Sequence, residues 1–111
     1  MIPDPSPPFE LGMSEGLREH IRRLSRKAAA RGFASSFRKT VEGILEALRQ
    51  DPRGSGDPIR GLRGLSMTEY RIVREQLIVS YSVHDRIPMV TVWRLEPGPG
   101  HPLAPPPQNG D

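Results

Sequence analysis

Residues 77–84, Leu77-Ile78-Val79-Ser80-Tyr81-Ser82-Val83-His84, decide how this chain is read. Leu77, Val79, Tyr81 and Val83 fall on one face, and Ser80, Ser82 and His84 on the other. That alternation marks a strand with one buried side. Working outward, Met89 to Leu95 reads as the next strand, joined through a turn at Asp85 and Arg86. Pro88 lacks a backbone donor and suits its start. On the other side, Glu69 to Arg74 is a third strand, and the three form a meander. Phe9 and Leu11 alternate in Phe9 to Met13, which adds a short strand ahead of everything else.

Between that first strand and the meander the apolar period changes to that of a helix. Leu17, Ile21, Leu24 and Ala28 make one stripe from Ser14 to Arg31. Ser14 can accept a backbone N–H of the first turn, and Gly32 can take the left-handed conformation that ends the helix. A second helix runs from about Ser35 to Gln50, with Phe37, Val41, Ile44, Leu45 and Leu48 as its apolar face and Asp51-Pro52 as its stop. The short link through Gly32 and Phe33 makes the pair an antiparallel hairpin. Gly43 within it costs about 1 kcal/mol of helix propensity against alanine and would allow a close helix approach. Arg53 to Leu65, with Gly54, Gly56, Pro58, Gly61 and Gly64, reads as a turn-rich link. The expected fold is α+β, β-α-α-β-β-β, with an N-terminal helical hairpin packed on one face of a small antiparallel sheet and the other face open.

A chain of 111 residues has room for one domain with a modest core. Its 13 prolines crowd at Pro3 to Pro8 and at Pro97 to Pro107. Residues 1–8 and 97–111 are therefore expected to be flexible ends around a folding unit at 9–96. The absence of cysteine excludes disulfides and thiolate metal sites. His20, His84 and His101 are too scattered to suggest a metal site, and no cofactor is expected. Met1 to Glu10 lacks the basic start and apolar run of a secretory signal, and no segment is apolar over the length a bilayer crossing needs. A cytoplasmic location is the expectation. No membrane partner and no small-molecule substrate are expected.

Lysine and arginine number 16 against 13 acids, a net charge of +3. Arg18, Arg22, Arg23, Arg26, Lys27 and Arg31 gather on the first helix. Such a face attracts nucleic acid or an acidic protein, although a basic helix face is also an ordinary solvated surface.

The segments Pro58-Ile-Arg-Gly-Leu-Arg-Gly-Leu65, Tyr70-Arg-Ile-Val73, Leu77-Ile-Val-Ser-Tyr-Ser-Val-His-Asp85 and Val90-Thr-Val-Trp-Arg94, in this order and spacing, resemble the RelE/ParE superfamily of bacterial toxin–antitoxin toxins. The resemblance covers about residues 9 to 95. It implies one of two actions. RelE-like members enter the ribosomal A site and cut messenger RNA, whereas ParE-like members inhibit DNA gyrase without being nucleases. Either kind is held inactive by an antitoxin that wraps it, so a cognate antitoxin is the implied partner. The same fold serving both targets cannot choose between them.

Metal-free RNA cleavage needs a base for the 2′-hydroxyl, cations for the phosphate and an acid for the leaving oxygen. Arg71 matches the basic position of the family's Tyr-Arg strand. Val73 and Ile78 stand where further cations often occur, and Glu96-Pro97-Gly98 replaces the basic, tyrosine-bearing end. The catalytic candidates are therefore Arg71, Arg94 and His101. Arg94 could present its fork to a phosphate, and His101 is the one imidazole near the usual site. Arg22, Arg23, Arg26, Arg60 and Arg63 are the candidates for binding nucleic acid or a partner. Each has an ordinary alternative as a solvated arginine. Trp93, Tyr81 and Tyr70 read as packing residues. The incomplete catalytic set favours a toxin that acts by macromolecular binding, as a gyrase-type inhibitor or as a catalytically degenerate member whose remaining role is pairing with an antitoxin. A ribosome-dependent endoribonuclease is the alternative, and a non-toxic adaptor on the same fold is a third.

Overall fold

The computed structural model describes residues 8–104. Among them, five strands and three helices follow in the order β1 (Glu10–Met13), α1 (Glu15–Ala30), α2 (Ala34–Gln50), α3 (Pro52–Ser55), β2 (Asp57–Leu62), β3 (Met67–Arg74), β4 (Leu77–His84) and β5 (Met89–Pro97), with a 3₁₀ turn at Arg63–Leu65. The α1 boundaries come from the expected signals. Ser14 Oγ accepts the Leu17 N–H at 3.1 Å. Gly32 sits at φ +85°, which lets the Phe33 N–H reach back to the Ala28 carbonyl at 3.0 Å. Leu17, Leu24 and Ala28 of α1 and Phe37, Val41, Ile44 and Leu48 of α2 are buried. They cover the sheet face formed by Leu77, Val79, Tyr81 and Val83 of β4, flanked by Val90, Val92 and Leu95 of β5. The α+β class and the hairpin on one sheet face are as expected.

The sheet itself has more in it than the sequence revealed. Its order is β1-β5-β4-β3-β2. The meander pairs are antiparallel, but β1 lies parallel to β5, with Leu11 opposite Val90 and Met13 opposite Val92. A parallel neighbour needs a long crossover, and the helical hairpin followed by the meander provides it. The sheet is therefore mixed at one edge instead of antiparallel throughout. At the other edge, the segment read as a helix stop and turns contains both α3 and β2, so the order is β-α-α-α-β-β-β-β. Pro58 and Gly61 are poor strand formers. The ladder to β3 holds them extended, with a register break between Pro58 and Arg60 that absorbs the proline. Asp51 does end α2, and its Oδ1 then caps α3 by accepting the Gly54 N–H at 3.1 Å. Gly43 faces solvent and not a neighbouring helix.

The expected proline-rich ends, 1–8 and 97–111, lie partly outside the described residues. Residues 98–104, described in full, fold back over the hairpin. The Gly98 N–H bonds the Gln76 carbonyl at 2.7 Å, Gly100 turns the chain at φ +90°, and Leu103 is buried in the core. An apolar anchor after two glycines is what ties this stretch down. Among the described residues, no helix is long and apolar enough to cross a membrane.

Candidate functional site

The helix-free face of the sheet carries two of the three catalytic candidates. Arg71 of β3 and Arg94 of β5 are both opposite Ser80 of β4. Three adjacent strands thus put the two guanidinium-bearing positions roughly 10 Å apart across one serine. Arg94 bonds Glu96 at 3.1 Å. Arg71 makes no ion pair with any described residue.

Trp93 joins this row because of a β-bulge. Ser80 pairs with Arg94 and Tyr81 with Val92, leaving Trp93 as the extra residue of β5. Val92 and Leu95 point into the core, so the two residues between them, Trp93 and Arg94, both point away from it. Trp93 is 46% exposed. The expectation that it packs against the helices or Tyr81 is thereby corrected. The cue lies in the chain: inward Val90 and Val92 are followed by inward Leu95, one residue too late for strict alternation. Tyr81 and Tyr70 do pack, stacked with ring centroids 5.5 Å apart on the helix side.

One step along the sheet, Arg60 Nε bonds Glu69 Oε1 at 2.8 Å, and the Glu69 side chain is only 7% exposed. Arg60 is thus committed to a neighbouring carboxylate. Arg63 stands in the exposed 3₁₀ turn. His84 uses Nδ1 to accept the N–H groups of Arg86 and Ile87 at 3.1 and 3.2 Å, fixing the β4–β5 turn.

His101 is elsewhere. It lies edge-on to Phe33 and Phe37, with centroids 6.4 and 6.3 Å away, at the end of the helical hairpin. Its Nδ1 accepts the Leu103 N–H at 3.0 Å, and burial pushes its pKa down. The imidazole does not share the open face with Arg71 and Arg94. The chain past β5 turns onto the helix side, so proximity in sequence to Arg94 did not become proximity in space.

The basic stretch of α1 also divides. Arg22 bonds Glu19 at 2.8 Å and Glu15 at 3.4 Å, and Arg26 bonds Glu19 at 3.3 Å. Hydrogen bonds from Arg22 and then Arg26 hold the Glu19 carboxyl below its usual range. These arginines are engaged within their own helix. Arg23 makes no ion pair with a described residue. Among the described residues, no group of three His, Asp or Glu side chains converges as a metal site would require.

A helical hairpin over one face of a five-stranded sheet, with β1 returning beside β5, is a RelE-like fold. Two solved structures share it. The archaeal RelE–RelB complex from Pyrococcus horikoshii OT3 matches with a TM-score of 0.60 and 14% identity, covering 83% of this chain and 97% of that one. The toxin–antitoxin complex RelBE2 from Mycobacterium tuberculosis matches with a TM-score of 0.55 and 20% identity, covering 85% and 95%. At these identities the likeness is one of fold. No family model and no characterised protein matches the sequence.

Proposed function

We propose that this chain is the toxin of a type II toxin–antitoxin pair, that it acts in the cytoplasm by gripping a macromolecular target with the open face of its sheet, and that a cognate antitoxin holds it in check. The observation that carries the binding mode is the separation of His101 from Arg71 and Arg94 by the sheet itself. Two cations on the bare face can grip a phosphate or a carboxylate. Cleavage needs a proton acceptor and donor within hydrogen-bond reach of the reacting atoms, and His101 does not supply them there. The fold shared with the two toxin–antitoxin complexes supports the antitoxin partner. An inhibitor of the gyrase type fits this pattern.

The test is induction in a bacterial host, followed by two assays on the arrested cells and the pure protein. Growth arrest with inhibited gyrase supercoiling and intact messenger RNA is the expected outcome. Codon-linked cuts in primer extension would replace this reading with the ribosome-dependent nuclease. The placement of Arg71 and Arg94 on either side of Ser80 favours that second reading most. Induction without any growth effect would leave the non-toxic adaptor.

A further inference from the structure

The stretch after β5 is fastened at both ends. At its start, the Gly98 N–H bonds the Gln76 carbonyl at 2.7 Å. At its far end, residues 101–104 form a tight turn. The Ala104 N–H bonds the His101 carbonyl at 2.9 Å, and the Leu103 N–H bonds His101 Nδ1 at 3.0 Å. That turn aims Leu103 into the core. Between the two fastenings, Gly100 at φ +90° supplies a hinge. Holding Gly100 to Ala104 in place costs conformational entropy, and glycine loses the most. Against that cost stand one buried leucine, the turn, the Phe33 and Phe37 rings beside His101, and a hydrogen bond from Arg31 to the Pro102 carbonyl. Every other buried core residue, from Leu17 to Leu95, belongs to a helix or strand. The segment can therefore open locally, without them.

His101 controls the turn through one atom. A neutral imidazole that accepts at Nδ1 carries its proton on Nε2. A second proton can go only to Nδ1, where it meets the Leu103 N–H, donor against donor. The charges around the segment also disfavour an imidazolium. From α1, Arg31 grips the carbonyl of the very next residue, with Lys27 and His20 further along the same groove. From β5, Glu96 is held by Arg94. Glu75 in the β3–β4 turn is exposed to solvent, and α2 with its cap residue presents the Phe37 and Phe33 rings. Burial lowers the imidazole pKa, in keeping with a site that holds the neutral ring.

We propose that Gly100 to Ala104 is a proton-released strap, docked while His101 is neutral and swung off the end of the hairpin when Nδ1 is protonated, with the helices and sheet still folded. The trigger falls in the mildly acidic range in which imidazole titrates. Release bares the apolar floor beneath Leu103, so the chain presents one surface above the transition and another below it. The strap does not depend on the toxin reading.

The experiment follows the full-length ¹⁵N-labelled chain by NMR from about pH 8 to about pH 5. Expected is a severalfold loss of exchange protection at the Leu103 and Ala104 amides, after correction for the intrinsic pH dependence of exchange. The loss should share its midpoint with the His101 ring signals, while Gly98 and the β4 amides of Val79 and Tyr81 hold within about twofold. His101→Asn keeps an oxygen that can accept the Leu103 N–H but gains no proton, so the strap should stay docked across the range. Leu103→Ala should free it throughout and calibrates the released state. His20→Gln should leave the midpoint where it is. Equal protection at both pH values would overturn the proposal. So would loosening in step with β4, loosening that persists in His101→Asn or follows His20, or an imidazolium held in place against the Phe33 and Phe37 rings. The midpoint comparison is made in the parent chain, so it stands even if a variant fails to fold.

Discussion

Tyr81 Oη donates a 2.6 Å hydrogen bond to the carbonyl of Pro52, tying the middle of β4 to the first residue of α3. Burial pushes the phenol pKa upward, so the hydroxyl stays protonated and available as a donor. Tyr81→Phe keeps the ring stacked on Tyr70 but strands the Pro52 carbonyl. We expect a loss of about 1–2 kcal/mol in urea unfolding, with the fold intact.

Gly56 lies directly against that hydrogen bond. A Cβ there would touch Tyr81 Oη and stand 2.7 Å from the Arg71 carbonyl oxygen. Its φ of −132° is accessible to any residue, so the constraint is space and not backbone conformation. Gly56→Ala should cost about 1–3 kcal/mol, read as a lowered urea midpoint. Combined with Tyr81→Phe, which removes the closest atom, the loss should be less than additive.

Arg60 and Glu69 form the polar pair beside the candidate row. Arg60→Ala leaves a nearly buried carboxylate without its guanidinium, at a cost of about 1–3 kcal/mol. Glu69→Gln in the same background should recover part of that loss, because an amide is cheaper to bury unpaired than a charge. Chemical denaturation of the two single variants and the double variant measures this coupling.

His101 makes the stability of the chain pH-dependent in a defined direction. Its folded-state pKa lies below the ordinary value of 6.5. Between those two values the unfolded chain binds a proton that the folded chain refuses. Stability therefore falls as the pH drops from 6.5 toward the folded value, and is regained as the pH rises. Protonation would also remove the Nδ1 acceptor used by Leu103. His101→Asn should flatten this part of the profile, which urea midpoints at about pH 5 and about pH 8 can measure.

On the open face, Arg71→Ala, Arg94→Ala and Trp93→Ala each remove an exposed side chain. Stability should stay within about 0.5 kcal/mol of the parent. If this face grips the target, growth arrest on induction should weaken in each and vanish in the Arg71/Arg94 double variant. His101→Asn should leave it unchanged. A reversal of that order would return the activity to the imidazole side.

The two α1 and α2 stripes, the Ser14 cap and the β4 alternation could be read directly, because each is set by spacing along one element. Gly32 was legible for the same reason. The β2 strand was not, since Pro58 and Gly61 have no extended preference of their own and acquire it from β3. The parallel seat of β1 was equally hidden, being a property of where the chain returns. For the candidate site, the outward direction of Arg71 follows from alternation within β3. The exposure of Trp93 hinged on one extra residue in β5, visible only as a late leucine.

By itself, then, the sequence determined the kinds of elements, their order apart from the short α3 and one edge strand, and the face of each main element that seeks burial. These follow from local periodicity and capping, which need no knowledge of distant residues. Only the tertiary structure decided that Arg71 and Arg94 meet across Ser80, that His101 lies on the opposite side, and which α1 cations remain unpaired. Those outcomes depend on strand register, on a bulge and on the path of the chain after β5, where contacts between remote segments outweigh local preference.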